Sequence, residues 1–111
     1  MEQKKDQCPV NYALSIMNGK WKFAIVWHLS QSEILRFNEL RRRLDGISNL
    51  MLSKSLQELE ENKMINRHQY NEIPPRVEYS LTDLGKALGS VVQSLEDWGA
   101  MAMKEMEDSR N

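Results

Sequence analysis

The sequence predicts an α+β fold, mostly α. Three observations predict it. Phe37–Leu59 reads as two short helices joined by a tight turn at Asp45-Gly46-Ile47. Two strands, Ile65–Tyr70 and Arg76–Leu81, follow directly, joined by a loop stiffened by Pro74 and Pro75. Beyond them, Leu84, Leu88, Val91, Leu95, Trp98 and Ala102 recur in alternating steps of four and three, a heptad seam. A hairpin placed directly after a helix-turn-helix is a wing. The expected architecture is therefore a winged helix-turn-helix flanked by N- and C-terminal helices, the last of which carries the seam.

Residues 1–7 are expected to form a mobile polar tail. Residues 8–111 are expected to form a single domain that includes terminal helices at about 8–17 and 83–106. Cys8-Pro9 opens the first helix, because proline fits the first helical position, where its missing N–H costs nothing. Tyr12 and Ile16, with Ala13 and Met17, form its apolar face, and Asn18-Gly19 ends it. A second helix is expected from about Lys20 to Leu29. Its Trp21, Ile25 and Leu29, with Phe23, Ala24, Val26 and Trp27 between them, imply burial on several sides. Ile34-Leu35-Arg36 suits a very short strand.

The first helix of the helix-turn-helix carries Phe37, Leu40 and Leu44. Gly46 suits the turn because it takes φ > 0 without a Cβ penalty. Ser48 stands where an N-cap belongs, and Leu52, Leu56 and Leu59 form one buried face of the second helix. That helix is expected to fray near Asn62-Lys63. In the second strand Val77, Tyr79 and Leu81 alternate cleanly, whereas the first strand is inferred from its partner. Thr82-Asp83 caps a long last helix expected to run to about Met106, with a kink placed near Gly99.

Composition narrows the function. No apolar run approaches the ~20 residues of a membrane span, and the polar start does not look like a signal peptide. The lone Cys8 has no intrachain disulfide partner, so a cytoplasmic protein is expected. The net charge of −1 hides an uneven distribution. From Lys20 to Arg76 ten Lys/Arg meet seven Asp/Glu, whereas from Val77 onward three meet seven. The basic charge therefore surrounds the helix-turn-helix, and it is the local field that meets a phosphate.

Asn49, Ser53 and Gln57 lie at i, i+4 and i+8, opposite the leucine face, with Leu50 and Lys54 beside them. Amides, hydroxyls and a lysine at that spacing can reach base edges and phosphates in a major groove. A merely solvated helix face is the competing reading. Arg41, Arg42 and Arg43 point about 100° apart on a helix, so only part of the run can face DNA, and Arg41 and Arg42 are favoured. Lys20 beside Gly19 suits phosphate at a helix start. Cys8 stands at a helix mouth, where the positive helix end favours thiolate; an inert or buried small thiol is the alternative. His28 and His68 are isolated, so neither a metal nor any other cofactor is expected.

Taken together, these segments resemble an HxlR-type winged helix-turn-helix transcriptional regulator. The resemblance rests on Cys8-Pro9-Val10, Asn18-Gly19-Lys20-Trp21-Lys22, Arg36-Phe37-Asn38-Glu39-Leu40, Gly46-Ile47-Ser48, Met51-Leu52 and Leu56-Gln57-Glu58-Leu59-Glu60. It continues in Pro74-Pro75-Arg76-Val77-Glu78-Tyr79, Leu81-Thr82-Asp83-Leu84-Gly85 and Asp97-Trp98-Gly99, and so spans about residues 8 to 100. It implies a bacterial homodimer without catalytic activity, bound to double-stranded DNA at inverted-repeat operators. It also implies that the N- and C-terminal helices, about 8–17 and 83–106, are dimerisation helices meeting through Tyr12, Ile16, Leu88, Val91, Leu95, Trp98 and Ala102, and that Arg76 contacts DNA at the wing tip. Arg36 and Ser48 join the DNA-contact candidates on the same grounds. Some members of the family sense oxidants, electrophiles or aldehydes through a cysteine near the N-terminus, where Cys8 stands here. Leu50 departs from the polar residue usual at its place; it would pack on a thymine methyl or be half-buried. The alternative function is a winged-helix module that binds protein rather than DNA. An enzyme would need a catalytic constellation, and none is visible.

Overall fold

A computed structural model describes residues 8–110; the expected tail, residues 1–7, lies outside them. The element order is α1 (Pro9–Ile16), α2 (Lys22–Ser32), β1 (Ile34–Arg36), α3 (Phe37–Arg43), α4 (Asn49–Glu61), β2 (Ile65–Tyr70), β3 (Arg76–Leu81), α5 (Asp83–Ala87) and α6 (Gly89–Arg110). The three strands form an antiparallel sheet in the order β1-β3-β2. Leu35 and Arg67 both pair with Tyr79, and Ile65 pairs with Leu81. A winged helix-turn-helix is what these elements build: α3 and α4 with their turn, then the β2–β3 hairpin.

Local chemistry explains the helix ends. The Ser48 hydroxyl accepts from the Met51 amide at 3.0 Å, satisfying one of the free donors of α4. Gly46 takes φ 90° in the turn before it. At its far end α4 stops where the sequence places its end, with Asn62 as the C-cap. Met64 N–H bonds Leu59 O at 2.9 Å and Lys63 N–H bonds Glu60 O at 3.0 Å, with Lys63 at φ 63°. That is a closed Schellman stop, and the buried Leu59 and Met64 side chains supply its apolar contact.

Two other helix boundaries differ from the sequence reading. The second helix begins at Lys22 and runs to Ser32, because Gly19 turns the chain at φ 89° and Trp21 takes the N-cap position. The last helix is two helices, broken at Leu88, not kinked at Gly99. Leu88 N–H turns back to Gly85 O at 3.1 Å, while Gly99 lies inside the continuous α6. The break has a packing cause: α5 is held against the start of β2, whereas α6 buries Val92 in the core on α2.

The core gathers Ile25, Val26 and Leu29 of α2, Leu35 of β1, Leu40 and Leu44 of α3, and Leu52, Leu56 and Leu59 of α4. Ile65, Tyr79 and Leu81 close it from the sheet, with Met64 just before β2. Each helix of the helix-turn-helix is thus seated on the core by its own apolar stripe. In α1, by contrast, no residue is buried. Among the described residues no helix is long and apolar enough to cross a membrane.

Candidate nucleic-acid interface

The face of α4 opposite the leucines is solvent-exposed and carries Asn49, Leu50, Ser53, Lys54 and Gln57. Leu50 is 80% exposed, which removes the half-buried alternative and leaves an apolar contact surface among polar ones. Ser48 is exposed at the helix start, where capping occupies its acceptor and leaves the hydroxyl proton free to donate. Gln57 donates its amide to Glu61 at 3.3 Å, an exposed bond that a base edge can replace.

The basic residues divide by role. Arg41 and Arg42 stand exposed in the last turn of α3. Arg43 turns back to donate to Ser32 Oγ at 2.6 Å, tying α3 to the end of α2. Arg36 is exposed, its amide donates to Glu39 Oε1 at 2.8 Å, and its side chain lines a cleft with Glu72–Val77 of the wing. Lys20 is not at the helix start, which lies two residues later; its ammonium sits 4.8 Å over the Trp21 ring and is exposed.

Arg76 does not stand at the wing tip. That place belongs to Ile73, which is fully exposed at 100%. Arg76 starts β3, half-buried, with its guanidinium 4.0 Å over the Tyr70 ring and its Nε 3.3 Å from Glu72 and 3.6 Å from Glu78. Tyr70 in turn donates its hydroxyl to Glu78 Oε1 at 3.1 Å. Two carboxylates and an aromatic face hold the cation in the wing, so its immediate effect is to shape the hairpin.

Two features escaped sequence reading. Arg67 pairs opposite Tyr79 and faces a groove with Ser53, Gln57 and Glu60, between the wing and α4. The weak alternation of β2 gave no sign of which side it would take. Lys22 is 5% exposed and pairs with Glu58 of α4 at 2.7 Å. A lysine in a first helical turn reads as surface, and only its tertiary partners reveal it as buried. Hydrogen bonding to Lys22, and then the charge of Lys22, hold the Glu58 carboxyl below the usual carboxylate range.

A second exposed surface is apolar. On α6, Val91, Leu95 and Trp98 are exposed, Trp98 at 65%, and Met101, Met103 and Met106 continue the surface. Ala102 is half-buried. On α1, Tyr12 is exposed and Ile16 packs partly on the core. Leu88, in the α5–α6 break, packs partly on the core and lines an apolar hollow with Tyr12 and Ile16 of α1. Cys8 is exposed at the N-cap of α1. The backbone amides of Asn11, then Val10, hold its thiol below the ordinary value, as open amides at a helix start do.

The profile of the HxlR-like helix-turn-helix family matches residues 16–107. The chain belongs to that family. A Fusobacterium mortiferum protein that bears the name regulatory protein MalR is 44% identical to this HxlR-like chain over 100 residues, covering 89% of it and 94% of MalR. The HTH-type transcriptional regulator YybR of Bacillus subtilis is 37% identical over 107 residues, covering 96% of this chain and 85% of YybR. Among solved structures, the redox regulator HypR in its reduced form superposes with a TM-score of 0.84 at 37% identity. That match covers 91% of this chain and 99% of HypR. The HxlR-like protein described here is accordingly a winged helix-turn-helix member of a family of transcriptional regulators.

Proposed function

We propose that the protein acts in the cytoplasm as a homodimer that binds inverted-repeat operators in double-stranded DNA and regulates transcription. The observation that carries the reading is the exposed face of α4, where Asn49, Ser53, Lys54 and Gln57 stand outward from a helix capped at Ser48 and seated on three buried leucines. A rigid helix with short polar side chains along one side can enter a major groove. Lys20, Arg36, Arg41, Arg42 and Arg67 supply phosphate contacts around it, while Arg76 orders the wing. The apolar surface of α6, with Tyr12 and Ile16 of α1, supports pairing with a second copy, because an exposed tryptophan beside leucine, valine and methionines is an interaction surface. Two-fold symmetry then dictates two half-sites.

Cys8 supports a response to oxidants or electrophiles. Its thiolate can displace one sulfur of a small disulfide, forming a mixed disulfide and releasing a thiolate, or add to an electrophilic carbon. With one cysteine per chain, a protein disulfide can join only Cys8 of one copy to Cys8 of the other. Selection from random-sequence duplex DNA, followed by gel shift at about 0.15 M salt, tests the main reading. Enrichment of an inverted repeat is the expected result; binding no tighter than to random DNA rejects it in favour of a protein-binding module.

A further inference from the structure

Lys22 is the one charged residue among the described residues that is buried. An ammonium carries three donors, and a buried one is tolerated only when they are used. Here each donor goes to a different place. Lys22 Nζ donates to Ile16 O, the last carbonyl of α1, at 3.4 Å, and to Asn18 Oδ1 in the α1–α2 connection at 3.0 Å. Its third partner is Glu58 Oε1, in the last turn of α4, at 2.7 Å. The same atom thus clasps the end of the N-terminal helix and the helix that carries the proposed DNA-reading face.

The clasp matters because of what it joins. Since α1 buries no residue fully, its C-terminal end is held by Met17 in the core, by Ile16 packed partly against it and by the Lys22 ammonium. Glu58 follows Gln57 and lies one turn beyond Lys54, so it sits at the border between the buried and outward faces of α4. A helix turned by about 20° moves side-chain tips ~5–6 Å from its axis by about 2 Å, more than a base-edge hydrogen bond tolerates.

We propose that Lys22 is a positioning residue for the DNA-reading helix, and that through Ile16, Asn18 and Glu58 it makes the rotation of α4 depend on where α1 sits. The consequence for operator affinity rests on the DNA-binding reading above; the mechanical link does not. Cys8 lies at the opposite end of α1, so any modification that displaces that helix acts on α4 through the same ammonium.

The test is a double-mutant cycle with Asn18→Ala and Glu58→Gln, repeated in a Lys22→Met background. Asn18 is exposed and Glu58 partly so, so both substitutions leave the core intact. Two readouts are taken: affinity for a selected operator against affinity for random DNA, and hydrogen exchange of the last turn of α4 in the DNA-free dimer. Asn18→Ala is expected to weaken operator binding about threefold and to speed that exchange when Lys22 is present, and to do neither beside Lys22→Met. Affinity for random DNA stays unchanged, which a general loss of stability would not produce. Losses from Asn18→Ala and Glu58→Gln that multiply independently, in both readouts, overturn the proposal. If wild-type protein selects no operator, the DNA reading fails, and the exchange data still decide the link. If Lys22→Met does not fold, the Asn18/Glu58 cycle decides it by itself.

Discussion

The backbone of Gly85 lies against the carbonyl oxygen of Met64, so that a Cβ at Gly85 would overlap that oxygen and crowd Leu81. Thr82 completes the junction. Its hydroxyl donates to Lys63 O at 2.6 Å and accepts from Gly85 N–H at 3.0 Å, and its amide donates to Met64 O at 3.1 Å. This seam locks α5 to the end of α4 and explains why the chain must break again before α6. Gly85→Ala should destabilise the fold by about 1–3 kcal/mol, since neither backbone can move aside cheaply. A fall in the urea midpoint with unchanged m-value is the expected observation; an unshifted midpoint would show that the junction is loose.

Lys63 offers the opposite effect. It holds the left-handed position of the Schellman stop at φ 63°, where an L-residue is strained and glycine is not. Lys63→Gly should stabilise the protein by up to about 1 kcal/mol, the relief of strain exceeding the added freedom of the unfolded chain. Thermal unfolding at fixed protein concentration measures it, and a lowered Tm contradicts the assignment.

Lys54 and Arg76 should weaken operator binding in different ways. Lys54→Ala removes an exposed cation from the face of α4 and should reduce the salt slope by about 1. Arg76→Ala removes a cation already paired with Glu72 and Glu78, so it should lower affinity by disordering the hairpin while the dimer persists. If both variants bind as wild type, the proposed face is wrong.

At Cys8 the amides of α1 favour thiolate, so its titration lies below that of an ordinary thiol. The sign follows: as pH falls, Cys8 keeps its reactivity longer than a free thiol does, and loses it only below its own depressed pKa. Iodoacetamide labelling across pH, with glutathione as the reference, measures this; coincident profiles would remove the activation. Cys8→Ser should still bind the operator yet ignore diamide or a quinone, and a variant that stays responsive would take Cys8 out of the mechanism.

The apolar surface of α6 is tested by charge. Leu95→Glu or Trp98→Glu places a carboxylate in the proposed dimer contact, and sedimentation should then report one chain's mass where wild type reports two. Operator affinity should fall with it, because two half-sites are no longer joined. Both variants remaining dimeric would place the contact elsewhere.

Much of this was legible along the chain. The strands β2 and β3 keep the predicted bounds, because Val77, Tyr79 and Leu81 alternate and the prolines mark the loop. Ser48 caps α4 as its spacing implies, and the leucine stripe leaves Asn49, Ser53, Lys54 and Gln57 outward. These are local properties, decided by residues within two helical turns of one another.

What the sequence by itself determined is therefore the winged helix-turn-helix and the outward face of its second helix, since periodicity, caps and turn residues act over short stretches. Only the tertiary structure decided the break at Leu88, the inward pairing of Arg76 and the burial of Lys22. The break and the burial depend on groups distant in sequence, Met64 against Gly85 and Glu58 against Lys22, while the pairing of Arg76 depends on the hairpin that brings Tyr70 and Glu78 around it. A charged side chain looks like a surface residue until the fold brings it partners, because burial and electrostatic pairing are properties of the assembled surroundings and not of the residue.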